Sequence, residues 1–321
     1  MPPFPKPKFA YDYDLGQEVK ALRKWRDKEP GRQIPAKADG KLLLATWNVA
    51  NLGVQDRSDD DCALIAEVMS WFDLVAVQEV NDDLRGISAI HSHMPDRYRL
   101  LFSDASGNQE RQAFLYDENK VSQLEEVGRL SIPPSQLKKI KPPGITSPFP
   151  GFDRGPYLAT FASNGFEFEL VNVHLFYGSD SDPIDLGRRI QETFAVAWWA
   201  KAKHDDDHSY VSNVIPLGDF NLPKAAEGDR VYDALTSQGL ELPPHSSQIG
   251  SAIASDNHYD QIAFFPGATH DHFTGAMNVF DFDGALFHDL WETHKRSEFM
   301  AYTRFHVSDH RPLWAEFETA G

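Results

Sequence analysis

The sequence predicts an α+β protein folded as a four-layer α/β/β/α sandwich, two packed mixed sheets flanked by helices. Three observations carry this. Short apolar runs bounded by turn residues, such as 41–47, 74–77 and 214–217, read as buried strands. Amphipathic helical stretches lie among them without strict strand–helix alternation, which favours two sheets packed face to face with helices outside. No internal repeat or low-complexity linker interrupts residues 41–321, so these form one domain, preceded by an N-terminal arm, 1–40, with a short helix.

In the arm, four prolines among the first seven residues favour extended chain. A helix is predicted over 15–28, with Val19, Leu22 and Trp25 as its apolar stripe and Pro30, Gly31 and Pro35 as its stops. The domain opens with a strand over 41–47 that runs into Asn48. A helix over 58–72 places Leu64, Ile65, Val68, Met69 and Phe72 on one face. Asp59, Asp60 and Asp61 in its first turn complement the helix dipole. The strand 74–77 leads into Gln78 and Glu79, and a helix covers 82–93. Strands follow at 98–102, 113–116 and 121–127, the last two joined by a turn at 117–120. Residues 131–156 hold seven prolines and form a long irregular segment, a type of loop often tied to function. Strands over 157–162 and 166–174 make a hairpin across an Asn-Gly turn. A helix runs over 184–203, and the KHDDDH run at 203–208 is its solvated end. Helix 229–238 and strands 261–264 and 312–317 complete the fold.

The central strand reads VIPLGDFNLP at 214–223. If extended geometry persists, Asp219 and Asn221 share one face while Phe220 turns into the core. The alternative is a plain strand-to-turn exit, since Gly, Asp and Asn all favour turns.

Composition narrows the function. A net charge of −17 argues against holding nucleic acid by bulk positive charge. The single cysteine, Cys62, excludes an internal disulfide framework and a cysteine-built zinc site. No apolar run approaches the roughly 18 residues of a membrane span, and the first residues lack an apolar signal-peptide core. A cytoplasmic, monomeric protein with no membrane contact is expected.

Apolar strands repeatedly deliver polar residues at their ends: Asn48, Glu79, the pair Asn172 and His174, then Asp219 with Asn221. Asp309 and His310 precede the last strand. Three acids, Glu79, Asp219 and Asp309, with amides and histidines but no sulfur, suit a hard divalent cation. Such a site suits phosphoryl chemistry: the cation neutralises the phosphate, an acid activates water and a histidine protonates the leaving oxygen.

These pieces, in order, are TWN (46–48), QE (78–79), the ER of NQERQAF (110–111), RGP (154–156), NVH (172–174), GDFN (218–221), YDQI (259–262) and SDHRP (308–312). Together they resemble the endonuclease/exonuclease/phosphatase superfamily, and NVH with Glu110 is most similar to its deoxyribonuclease I-like branch. The resemblance implies a DNase I-like sandwich. It implies that Glu79 is the principal metal ligand, with Asn48 beside it and Asp309 as ligand or orienter. His174 corresponds to the general acid, oriented by Glu110. His310, partnered by Asp260, corresponds to a second histidine that contacts the scissile phosphate. Asp219 corresponds to the water-activating carboxylate, and Asn221 and Arg154 to phosphate contacts. Asn172 and Arg111 complete the expected substrate contacts, and Arg188 and Arg189 are further candidates for holding a strand. The implied cofactor is Mg2+ or Mn2+, with Ca2+ as an auxiliary ion. The implied activity is a nuclease acting on weakly held DNA or RNA; the alternative is a phosphatase or phosphodiesterase acting on a small-molecule or lipid phosphoester.

Overall fold

Side-chain alternation along β1 (Lys41–Leu52) generates the layers. Leu43, Ala45, Trp47 and Val49 pack beneath helices, whereas Leu42 and Leu44 face a second sheet. In the computed structural model, which describes residues 2–28, 33–179, 181–245, 249–255 and 257–319, β1 lies inside a six-stranded sheet. Edge to edge this sheet runs β10 (Phe273–Val279), β11 (Leu313–Glu318), β1, β2 (Leu74–Asn81), β4 (Glu110–Asp117) and β3 (Tyr98–Phe102). The second sheet runs β5 (Ser122–Arg129), β6 (Tyr157–Ser163), β7 (Phe166–His174), β8 (Val214–Asp219) and β9 (Asp260–Ile262). Each sheet is mixed, with β1–β2 and β7–β8 parallel and the remaining pairs antiparallel.

Between the sheets lies an apolar layer that includes Leu42, Leu44, Leu74, Phe114, Leu170, Ile215 and Leu217. Helices α1 (Leu15–Arg26), α2 (Asp59–Met69) and α3 (Arg85–Ser92) cover the outer face of the first sheet, with α7 (His288–Thr293) and α8 (Arg296–His306). Helices α4 (Pro183–His204) and α5 (Arg230–Thr236) cover the second. A short α6 (Ala268–His272) leads into β10. The sandwich is therefore four-layered, as expected.

Several local signals operate as read. Ser58 caps α2 in a capping box with Asp61, whose carboxylate accepts from the Ser58 N–H at 2.7 Å. The β6–β7 hairpin turns on Asn164 and Gly165, both at positive φ as this turn requires. Other expectations shift. The arm is built into the outer helical layer: Leu22 is fully buried, Tyr13 donates to Asp61 at 2.6 Å, and Trp25 donates to Asp281 at 2.9 Å. Its helix ends at Arg26; two of the expected stops, Pro30 and Gly31, fall outside the described residues. β10 and α6 to α8 were not predicted. β10 is an edge strand, and Gly275 at φ 84° breaks its alternation. Among the described residues, no helix is long and apolar enough to cross a membrane.

Candidate active site

At one end of the inter-sheet layer, the apolar pattern turns polar on every central strand. Along β1, Leu42 and Leu44 are followed on the same face by Thr46 and Asn48. Along β7, Phe168 and Leu170 give way to Asn172 and His174, and along β8, Ile215 and Leu217 give way to Asp219. Register places these ends side by side, since His174 pairs with Asp219 and Asp219 with Asp260. β4 runs antiparallel to β2, so its first residue, Glu110, pairs with Asn81 and arrives at the same end. The result is a pit of about 530 Å³ lined by Glu79, His174, Asp219, Asn221, Asp309 and His310, among others.

Glu79 reaches this pit against the strand period. Val75 and Val77 pack outward under helices, and strict alternation would send Glu79 the same way. A register shift between Val77 and Val80 and a left-handed Glu79 (φ 60°) turn it inward. Its carboxylate then accepts from Asn48 Nδ2 at 3.1 Å and from the Asn51 N–H at 2.7 Å. Gly218 makes a second close approach possible, because a Cβ there would lie 2.2 Å from the Val173 carbonyl oxygen.

Asp219 is the hub. Its Oδ2 accepts from Asn48 Nδ2 at 2.9 Å and its Oδ1 from the Asn221 N–H at 2.8 Å. Two imidazoles flank it, with His174 Nε2 at 3.8 Å and His310 Nε2 at 3.9 Å from Oδ2. Each imidazole is held from behind at Nδ1: His174 by Glu110 at 2.9 Å, His310 by Asp260 at 2.7 Å.

Burial opposes ionisation of Glu110, but the His174 hydrogen bond and charge, helped by Arg154, prevail and hold it at about 2. Burial also opposes ionisation of Asp219, yet His310 and His174 draw its pKa below the ordinary value. His310 goes the other way: burial would lower it, but Asp260, Asp219 and Asp309 raise it well above 6.5. Burial raises Asp309, and Glu79 and Asp219 add repulsion that His310 only partly offsets.

The donor set fits a hard divalent cation. Glu79, Asp219 and Asp309 line one pit, and among the described lining residues Arg154 is the only lysine or arginine. Asn48 directs its NH2 at two carboxylates, while its buried Oδ1 accepts no hydrogen bond. Asp219, Asp260 and His310 also bring ligand-type atoms within 4.8 Å of one another.

Two expected substrate contacts, Arg111 and Asn172, lie away from the pit, whereas Arg154 lines it. Arg111 alternates with Glu110 and so points to the opposite face of β4, where it bonds Asp82 at 2.9 Å. Asn172 sits two residue pairs deeper than His174 and is fully buried; its amide bonds the carbonyls of Val77 and Ala113 and accepts from Gln78. Arg154 lines the pit but grips the carbonyls of His174 at 2.8 Å and Leu175 at 2.7 Å. Of the additional arginines, Arg189 is fully buried and Arg188 pairs with Asp153 at 3.3 Å.

Supporting residues escaped the sequence reading. Ser308 Oγ donates to the Asn48 carbonyl at 2.7 Å and accepts from the Ala50 and His310 N–H groups at 3.2 and 3.1 Å. Arg57 Nη2 bridges the carbonyls of Ala50 at 2.6 Å and Val307 at 2.8 Å. Together they clasp the segment bearing Asn48 to the one bearing Asp309 and His310. Ser308 stood within a quoted motif; Arg57 carried no signal.

No protein-family model matches the chain, and no curated protein matches it in sequence. Solved structures do match. D. rerio TDP2 complexed with a single-strand DNA product is 17% identical, covers 88% of this chain and 100% of its own, and superposes with a TM-score of 0.56. An endonuclease/exonuclease/phosphatase family protein from Bacteroides thetaiotaomicron is 17% identical over 86% of this chain and 94% of its own, with a TM-score of 0.53. A mannosyl-6-phosphatase from the same species is 18% identical over 86% of this chain and 99% of its own, with a TM-score of 0.52. The chain has the DNase I-like fold that these endonuclease/exonuclease/phosphatase proteins share.

Proposed function

We propose that this chain is a divalent-metal-dependent phosphodiesterase that hydrolyses nucleic-acid strands. The observation that carries the reading is the paired arrangement at Asp219: two imidazoles face one carboxylate oxygen, each fixed from behind by its own acid. Such a centre can accept a proton on one side of a phosphorus and donate one on the other.

Glu79, Asn48 and Asp309 would hold the cation, Mg2+ or Mn2+ by donor type. When bound, it neutralises charge on the phosphate oxygens. Asp219, kept ionised by its histidines, orients the attacking water and takes its proton. His174 donates to the leaving oxygen, and Glu110 sets the ring so that Nε2 faces the reaction. His310, carrying charge through Asp260, stabilises the negative charge that builds on the phosphate. Asn221 steadies Asp219 through its backbone and meets the phosphate. Arg154 acts indirectly, fixing the chain at His174 and Leu175.

A second reading, hydrolysis of a small phosphoester, is favoured by the pit shape and by the single arginine lining it among the described residues. Plasmid DNA, single-stranded RNA and a sugar phosphate, each assayed with Mg2+ and with chelator, separate the two. Strand cleavage without phosphate release from the sugar supports the first reading. Phosphate release alone overturns it.

A further inference from the structure

Two buried charged residues of α4 lie outside the proposed proton chemistry, and both hold the segment that follows His174. Glu192, fully buried, accepts from the Phe176 N–H at 3.0 Å and from the Asp153 N–H at 2.9 Å. Arg189, also fully buried, donates from Nε to the Tyr177 carbonyl at 3.2 Å and from Nη1 to the Asn221 carbonyl at 3.3 Å. Burying charges is costly unless they are well partnered. Here the partners are mainly backbone groups of the 176–177 loop, of Asp153 and of Asn221, with Arg188 also 3.4 Å from Glu192. The loop is thus fixed relative to the phosphate position.

What the loop presents is aromatic. Phe176 and Tyr177 both line the pit, and Tyr177 remains 39% exposed. Arg188 sits over the Phe176 ring at 4.3 Å and Arg189 over the Tyr177 ring at 4.7 Å. Tyr259 meets Tyr177 edge-on at 6.1 Å and lies 5.7 Å from His310, making a corner. The arginines at this corner are already engaged: Arg154, the only lysine or arginine among the described lining residues, by carbonyls, and Arg188 by Asp153 and Glu192, while Arg189 is fully buried. Neighbouring phosphates of a strand therefore find little to pair with, and affinity beyond the scissile group must come from flat apolar surface.

We infer that Phe176 and Tyr177 form a stacking platform for a planar aromatic group joined to the scissile phosphate, a nucleobase or an aryl leaving group. This inference rests on the phosphoester reading of the pit, and its test measures binding so that the two can fail separately. Thymidine 5′-monophosphate, phenyl phosphate and deoxyribose 5-phosphate are titrated calorimetrically with Mg2+ into the parent protein, Tyr177→Ala and Tyr177→Phe. Stacking is worth about 1–3 kcal/mol per base, roughly 5- to 150-fold in affinity.

The parent should therefore prefer at least one aromatic phosphate over deoxyribose 5-phosphate by a factor in that range. Tyr177→Ala should bring the ratio towards one, and Tyr177→Phe should keep it. Because Arg189 and Glu192 hold backbone atoms, the Ala variant retains the loop's anchors. Preference for the nucleotide assigns the platform to a base, and preference for phenyl phosphate assigns it to the leaving group. Equal affinities for all three ligands in the parent, or an unchanged ratio in Tyr177→Ala, would overturn the inference. A retained aromatic preference in a protein that hydrolyses no phosphoester would sink the catalytic reading and leave the platform standing.

Discussion

Replacing Glu110 with Gln probes the carboxylate–imidazole pair through both stability and rate. In the folded protein Glu110 lies 2.9 Å from His174 Nδ1 and is held at about 2, against an ordinary 4.5. At 1.36 kcal/mol per pKa unit, that displacement amounts to about 3 kcal/mol of preference for the ionised form. Because the folded-state value is depressed, the contribution is fully present above pH 4.5 and disappears as pH falls towards 2. Glutamine keeps the shape but cannot ionise. The parent should therefore exceed Glu110→Gln by up to about 3 kcal/mol at pH 7, and by about 2 kcal/mol at pH 3.5, by linkage. Denaturant unfolding at the two pH values measures the gap. The same change should lower kcat by at least about 10-fold, since the carboxylate that orients an acid–base imidazole can be worth up to about 10⁴. That loss should shrink on a nitrophenyl diester, whose leaving group departs without a proton. A stability gap that is the same at both pH values would show that ionisation of Glu110 contributes nothing. An equal rate loss on both substrates would detach it from proton donation.

Two further outcomes concern the same site, and a third lies away from it. His174→Ala should lower kcat by roughly 10²–10⁴ on an unactivated diester and less on the nitrophenyl ester; His310→Ala should show no such rescue, and the reverse pattern exchanges their roles. Chelation should abolish hydrolysis, Mg2+ or Mn2+ should restore it, and Glu79→Gln should raise the metal concentration needed in a thermal-shift titration; full activity after exhaustive chelation removes the metal from the reaction. Away from the site, burial pushes Glu169 up to about 7, only partly opposed by Lys203 at 3.6 Å. A raised carboxyl costs stability as pH climbs from 4.5 through 7, so Glu169→Gln should gain about 3 kcal/mol at pH 8 and under about 1 kcal/mol at pH 5; equal gains at both values would refute it.

The layers and the chemistry at the strand ends were legible in the chain because both are local. An apolar run that stops at Asn48, His174 or Asp219 marks where a buried strand meets a polar opening, and the period of two puts Asp219 on the face of Leu217 and Ile215. Which partners meet was not local. The bonds between Glu110 and His174, and between Asp260 and His310, join residues 64 and 50 positions apart. The residues alone offered the acids and histidines; the resemblance supplied the pairing, and sheet register brings them together.

The exceptions show the limits of periodicity. A bulge turns Glu79 inward against alternation, whereas alternation itself sends Arg111 away from the pit. Asn172 shares a face with His174, yet two residue pairs of depth replace substrate with Gln78 and two carbonyls as its partners. The same holds for α4, where nothing in the residue pattern hinted that Arg189 and Glu192 would be buried. Their partners are backbone groups of the 176–177 loop, of Asp153 and of Asn221, and a backbone carbonyl or N–H has no sequence signature. Composition and period determined the strands and the donor set; which face, which depth and which partner were decided only when two sheets packed and every buried polar group had to find a bond.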